Sequence, residues 1–169
     1  VVHAAQWGKP QRADRPSLAL DLCRAGLTVL SIDVTGTGET DPRDGRRTKS
    51  AAGYDPDGFA RDSLAISLHG FSGRSLEALR ATDVLRAVDY LRSLPPYAGT
   101  PVRLVGEELG GLWVLLAAAA DPGIEGVATV RTLLSFSSLL QSPYHEVRGH
   151  FWLPGAVADF DLCELSTLC

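Results

Sequence analysis

Short apolar runs alternate with helical patterns along the chain, and this alternation sets the first expectations. Residues 1–5 are apolar and reach Trp7-Gly8-Lys9-Pro10, which reads as a strand end followed by a turn. Over residues 15–25, Leu18, Leu20, Leu22 and Cys23 spread as on a helix, with Pro16 in the first turn and Gly26 as the stop. Residues 27–33 follow at once as a β-branched run that predicts a buried strand. A helix is predicted over about residues 75–94, because Leu76, Leu79, Val84, Leu85, Val88 and Leu91 recur at three- and four-residue spacing before Pro95-Pro96. Residues 102–105 predict a short buried strand, 110–120 an alanine-rich helix, and 126–134 another buried strand. Gly36, Gly38, Pro42, Gly45, Gly53, Pro56 and Gly58 break residues 34–58 into a long loop. Beyond Leu140 the pattern fades, and residues 142–169 read as a loop with one short helix.

Strands that alternate with helices predict an α/β fold, a doubly wound and mostly parallel sheet with helices on both faces. The four strands are expected to be parallel neighbours.

Composition narrows the partners. The 169 residues are 45% hydrophobic and 21% charged, which suits one globular domain. A net charge of −4 argues against nucleic acid as a partner, because phosphate binding wants a basic face. The basic cluster Arg43, Arg46, Arg47 and Lys49 falls in the long loop and reads as solvated. No run approaches the ~20 apolar residues of a membrane span, so no membrane partner is expected. Cys23, Cys163 and Cys169 fit no metal or redox spacing, and Cys23 reads as a small buried hydrophobe. Neither a metal nor a cofactor is expected. The chain has no methionine, so its native N-terminus is expected to be absent.

Gly106-Glu107-Glu108-Leu109-Gly110-Gly111 lies between a predicted strand and a predicted helix. This is the setting of the nucleophile elbow, G-x-S-x-G, in which one residue occupies a strained turn between strand and helix. Gly106, Gly110 and Gly111 would let neighbouring backbone come close. Glu108 takes the nucleophile position. The plain alternative is a glycine-rich β–α turn of any doubly wound fold.

Several segments together resemble the acetyl xylan esterase and cephalosporin deacetylase branch of the α/β-hydrolases, along with the related prolyl-oligopeptidase-like hydrolases. Residues 22–40 are similar to that branch's helix, strand and D-x-x-G-x-G loop, beginning at Asp33. Residues 82–91 are similar to its D-x-x-x-A-x-D-Y-L helix, and 104–111 to its elbow strand and turn. Ala118-Ala119-Ala120-Asp121-Pro122-Gly123-Ile124 resembles the end of its elbow helix. Leu153-Pro154-Gly155 and Asp159-Phe160-Asp161-Leu162 resemble the segment before its acid-bearing strand.

The resemblance implies an α/β-hydrolase fold represented from about its third to its sixth strand. Residues 1–169 would then be a single core fragment, with the catalytic acid and histidine beyond Cys169. It implies an oxyanion hole built from the N–H of Leu109 and a second N–H near Trp7 or Gly8. A small-molecule or carbohydrate ester is the implied substrate class. With Glu108 in place of serine, a protein silent as a serine esterase is the first expectation. A hydrolase using Glu108 as carboxylate nucleophile or base is the second, and a noncatalytic carbohydrate-binding or interaction domain the third. His3 reads as structural, as do His69, His145 and His150, and His145-Glu146 is a weaker candidate pair. Gly36-Thr37-Gly38 is too short for a dinucleotide fingerprint. Asp33 is expected to organise the loop that follows it.

Overall fold

A computed structural model describes residues 1–10, 17–41, 70–141, 153 and 155–167. The loop expected over residues 42–58, its basic cluster, His69 and the His145-Glu146 pair lie outside the described residues, as do His150, Pro154 and Cys169.

Four strands, β1 (Val2–Ala5), β2 (Leu30–Ile32), β3 (Val102–Glu107) and β4 (Ile124–Val130), form one sheet in the order β2-β1-β3-β4. Every pairing is parallel, as the apolar runs between helices predict. The register sets Ala5 beside Glu107, and Glu107 beside Val130. The carboxyl ends of β1, β3 and β4 therefore finish side by side.

The first two helices begin at serine caps. Helix α1 (Leu18–Arg24) starts at Ser17, whose hydroxyl accepts from the Leu20 amide. Helix α2 (Leu76–Ser93) starts at Ser75, whose hydroxyl accepts from Ala78, and Pro95 prevents its continuation. Helix α3 (Leu109–Ala120) is apolar round most of its circumference, and Leu112, Trp113, Val114 and Ala117 are fully buried. A helix apolar all round belongs inside a fold. It packs on β1, β3 and β4 and against α2, with Val84 and Val88 of α2 and Val2, Ala4 and Leu104 of the sheet in the same core.

A buried polar network pins α2 to this core. Glu77 and Arg80, both nearly inaccessible, form an ion pair at 3.2 Å. Trp113 donates its indole N–H to Glu77, and the Arg80 guanidinium lies 5.2 Å from the Trp113 ring centroid. Arg80 Nε also donates to the Thr35 carbonyl at 3.0 Å. One turn further along α2, Asp83 accepts from the amide and hydroxyl of Thr35, each at 2.7 Å. The loop after β2 is thus fastened to α2 through charge-assisted hydrogen bonds.

Several expectations need correction, the first being the buried strand expected over residues 27–33, which is confined to Leu30–Ile32 and is half-buried at the sheet edge. The strand expected over residues 126–134 runs instead from Ile124 to Val130, ending where Arg131 adopts φ 57°. An unanticipated helix, α4 (Phe136–Leu140), follows it. Among its described residues the late segment holds two short helices where one was expected, α5 (Ala156–Asp159) and α6 (Leu162–Thr167). Cys23 is exposed, because the buried stripe of α1 is carried by Ala19 alone.

Candidate functional site

Connections leave β1 and β3 in opposite directions, since β1 leads to β2 on one side and β3 leads to β4 on the other. Open parallel sheets bind ligands in the crevice outside the carboxyl ends of strands at such a reversal. At this reversal the turn after β1 holds Trp7 and Gly8, and the turn after β3 holds Glu108.

Glu108 stands between β3 and α3 with φ 56° and ψ −121°. Left-handed backbone is costly for a residue with a side chain, on the order of 1–3 kcal/mol, and persists only where the surroundings enforce it. The surroundings here are hydrogen bonds and close packing. The Glu108 amide donates to the Val130 carbonyl at 2.8 Å. Its carbonyl accepts from the Thr132 hydroxyl at 2.9 Å and from the Gly111 amide at 3.1 Å.

The three glycines make the packing possible. A Cβ on Gly106 would press into the backbone of Gly110 and Gly111. One on Gly110 would overlap the Ala4 carbonyl, and one on Gly111 would overlap the Thr132 side chain. Strand, elbow and helix are in backbone contact, which only glycine permits.

The Glu108 carboxylate has partners on both sides of the crevice. Its Oε2 accepts from the Trp7 indole Nε1–H at 3.1 Å. Its Oε1 lies 3.5 Å from Arg131 Nε. Arg131 also holds Glu107 through Nη2. Behind this pair is His3, buried on β1, with Nε2 3.8 Å from Glu107 Oε2 and Nδ1 2.9 Å from the Ser31 hydroxyl. His3 Nε2 has no hydrogen-bond partner among the described residues. Burial lowers the His3 pKa, with the Glu107 carboxylate opposing the shift.

As the first residue of α3, Leu109 has no intrahelical acceptor for its N–H. The turn after β1 separates the two other expected donors. The Gly8 amide is committed to the Ala5 carbonyl at 3.0 Å, whereas the Trp7 amide lies outside the turn's own hydrogen bond. Asp33 organises the loops, as expected. It accepts from Lys9 N at 2.6 Å and Glu39 N at 3.1 Å, and a Cβ on either Gly8 or Gly38 would collide with its carboxylate.

Sequence reasoning missed Arg131, Thr132 and Glu107. Nothing in their local pattern distinguishes them from solvated loop and strand-end residues. They converge because β3 and β4 end in register.

Two other features lie apart from this crevice. A cavity of about 320 Å³ sits at the opposite, amino-terminal end of the strands, lined in part by Leu27, Leu91, Tyr97, Val102 and Arg103. No described helix is long and apolar enough to cross a membrane. Compared with known proteins, the chain matches no family model, no curated protein and no solved structure.

Proposed function

We propose that this chain is the core of an α/β-hydrolase-fold protein of carbohydrate-esterase-like ancestry, with an elbow that is silent as a serine esterase. The single observation that carries the reading is the backbone of Glu108. A non-glycine residue at φ 56°, between a buried parallel strand and a buried helix and ringed by three sterically required glycines, is what a nucleophile elbow demands. The strand order supports it as well, because the elbow falls at the sheet's topological reversal. Right-handed crossovers leaving β1 and β3 in opposite directions would put α1 on the face opposite α2 and α3, as a doubly wound sheet requires.

The silent reading follows from the chemistry of residue 108. Glutamate has no hydroxyl to form an acyl-enzyme. Attack by its carboxylate on an ester would give an anhydride, a reactive intermediate that gains the enzyme little. Both carboxylate oxygens already face donors, one on Trp7 and one on Arg131, so neither is directed at a substrate. The buried His3 faces Glu107 rather than residue 108.

The test is hydrolysis of an activated acetyl ester by the 169-residue chain and by its Glu108→Ser and Glu108→Gln variants. The 169-residue chain and its Glu108→Ser variant are expected to stay well below triad-level turnover, since a serine hydroxyl needs an adjacent base. Triad-level hydrolysis by the unsubstituted 169-residue chain overturns the reading. Ester hydrolysis that vanishes on Glu108→Gln replaces it with a carboxylate mechanism.

A further inference from the structure

The geometry points to a binding site for small carboxylates in the crevice, formed by the Trp7 indole N–H and the Arg131 guanidinium and occupied in cis by the side chain of Glu108. The inference rests on reading residue 108 as the elbow residue of that crevice.

The two donors come from separate elements. Trp7 follows β1, Arg131 follows β4, and the carboxylate they share follows β3. The turn that carries Trp7 and the guanidinium of Arg131 each have a fastening besides Glu108. The turn carrying Trp7 is closed by the Gly8–Ala5 hydrogen bond, and the adjoining Lys9 amide is held by Asp33. Arg131 is anchored to Glu107 through Nη2, which leaves Nε for the second carboxylate. A guanidinium has five N–H donors in a rigid fork, so it can serve two carboxylates on different edges.

Hydrogen-bond donors, rather than net charge, select the occupant. Glu107 and Arg131 neutralise each other, and His3 behind them is held toward its neutral form by burial. Removing the Glu108 carboxylate leaves the donors, and a small monocarboxylate from solution restores the same ionic balance. In the unsubstituted protein the tethered carboxylate competes with any free ligand for the same two donors. The elbow side chain is thereby an autoinhibitory plug.

The experiment follows the indole N–H resonance of Trp7 by ¹H–¹⁵N NMR, assigned by its loss in Trp7→Phe, while sodium acetate is titrated against sodium chloride at equal ionic strength. Glu108→Gly removes the plug and also suits the left-handed backbone. In this variant acetate is expected to shift the resonance saturably, and the unsubstituted chain is expected to show no such shift. Adding Arg131→Gln to Glu108→Gly should weaken acetate binding about tenfold or more, the factor that corresponds to 1.4 kcal/mol. A folded Glu108→Gly variant that shows no saturable shift overturns the proposal. So does an equal shift in the unsubstituted chain, or an equal response to chloride.

Should Glu108→Gly lose its native amide spectrum, Glu108→Ala carries the test, with the same saturable shift on acetate expected. A folded Glu108→Ala variant that shows no such shift overturns the proposal. None of these readouts involves ester hydrolysis. Failure here leaves the elbow reading standing, and triad-level hydrolysis by the unsubstituted chain would sink that reading without altering the titration.

Discussion

The side chain of Thr132 occupies the space that any side chain at Gly111 would need, and its hydroxyl donates to the carbonyl of Glu108 at 2.9 Å. Helix α3 can approach the end of β4 only because residue 111 has no Cβ. Gly111→Ala is therefore expected to destabilise the fold by roughly 1–3 kcal/mol, the usual cost of overpacking. Thr132→Ala should recover part of that loss. Gly110→Ala should have no such suppressor, because its Cβ would meet the backbone of Ala4 rather than a side chain. Gly126→Ala, with open space around it, should stay within about 0.5 kcal/mol of the parent. Urea unfolding midpoints of the four variants check this order.

The Glu77–Arg80 pair is nearly inaccessible, so losing one member leaves the other charged in the core. Glu77→Leu is expected to cost about 3–5 kcal/mol. Arg80→Met in the same chain should make the double variant less destabilised than the sum of the two single ones. A double-mutant cycle by urea denaturation measures the coupling, and strict additivity would refute a shared buried network.

How legible these contacts were depended on their distance in sequence. Residues 106–111 announce a tight strand-to-helix turn on their own, whereas the serine caps at Ser17 and Ser75 are local signals that apolar spacing alone passes over, since it set the first helix from residue 15 with Pro16 in its first turn. The Arg131–Glu107 contact spans 24 residues and exists only because Glu107 and Val130 are in register. No periodicity encodes that. Helix α4 has five residues, too few to display a helical period, and its amino end is held by Asp161 from 25 residues away. Cys23 was misplaced for another reason. Apolar residues at helical spacing predict that some face is buried, but here only Ala19 reaches the core.

Asp161 gives a pH prediction. Desolvation pushes its carboxyl up. Hydrogen bonds from the hydroxyl of Ser135 and the amides of Ser137 and Phe136 outweigh that and hold it well below the ordinary carboxylate range. A depressed carboxyl contributes stability above its unfolded pKa of about 3.9 and loses it as pH falls toward the folded value. Asp161→Asn should lower stability at neutral pH and make its decline below about pH 4 shallower. Unfolding free energies measured across that range would decide the point.

His3 acts at a higher pH and also loses stability on acidification. Its folded pKa is lowered, so below the ordinary value of 6.5 the unfolded chain binds the proton more readily than the folded one. Stability should fall as pH drops through about 6.5 and level off once the folded histidine is itself protonated. His3→Gln should flatten that segment of the profile. A parent chain equally stable on both sides of pH 6.5 would contradict the burial argument.

Asp33 closes two chain reversals with one carboxylate, binding the Lys9 amide after β1 and the Glu39 amide after β2. The rim that carries Trp7 and the turn that follows β2 thus share a single fastening. Hydrogen exchange at the two amides should proceed through one common opening event, so a change made at Gly38 would be felt at Trp7. The crevice wall then has the mechanics of a hinged plate rather than of two independent flaps, and its compliance is set on the side of the sheet away from Glu108.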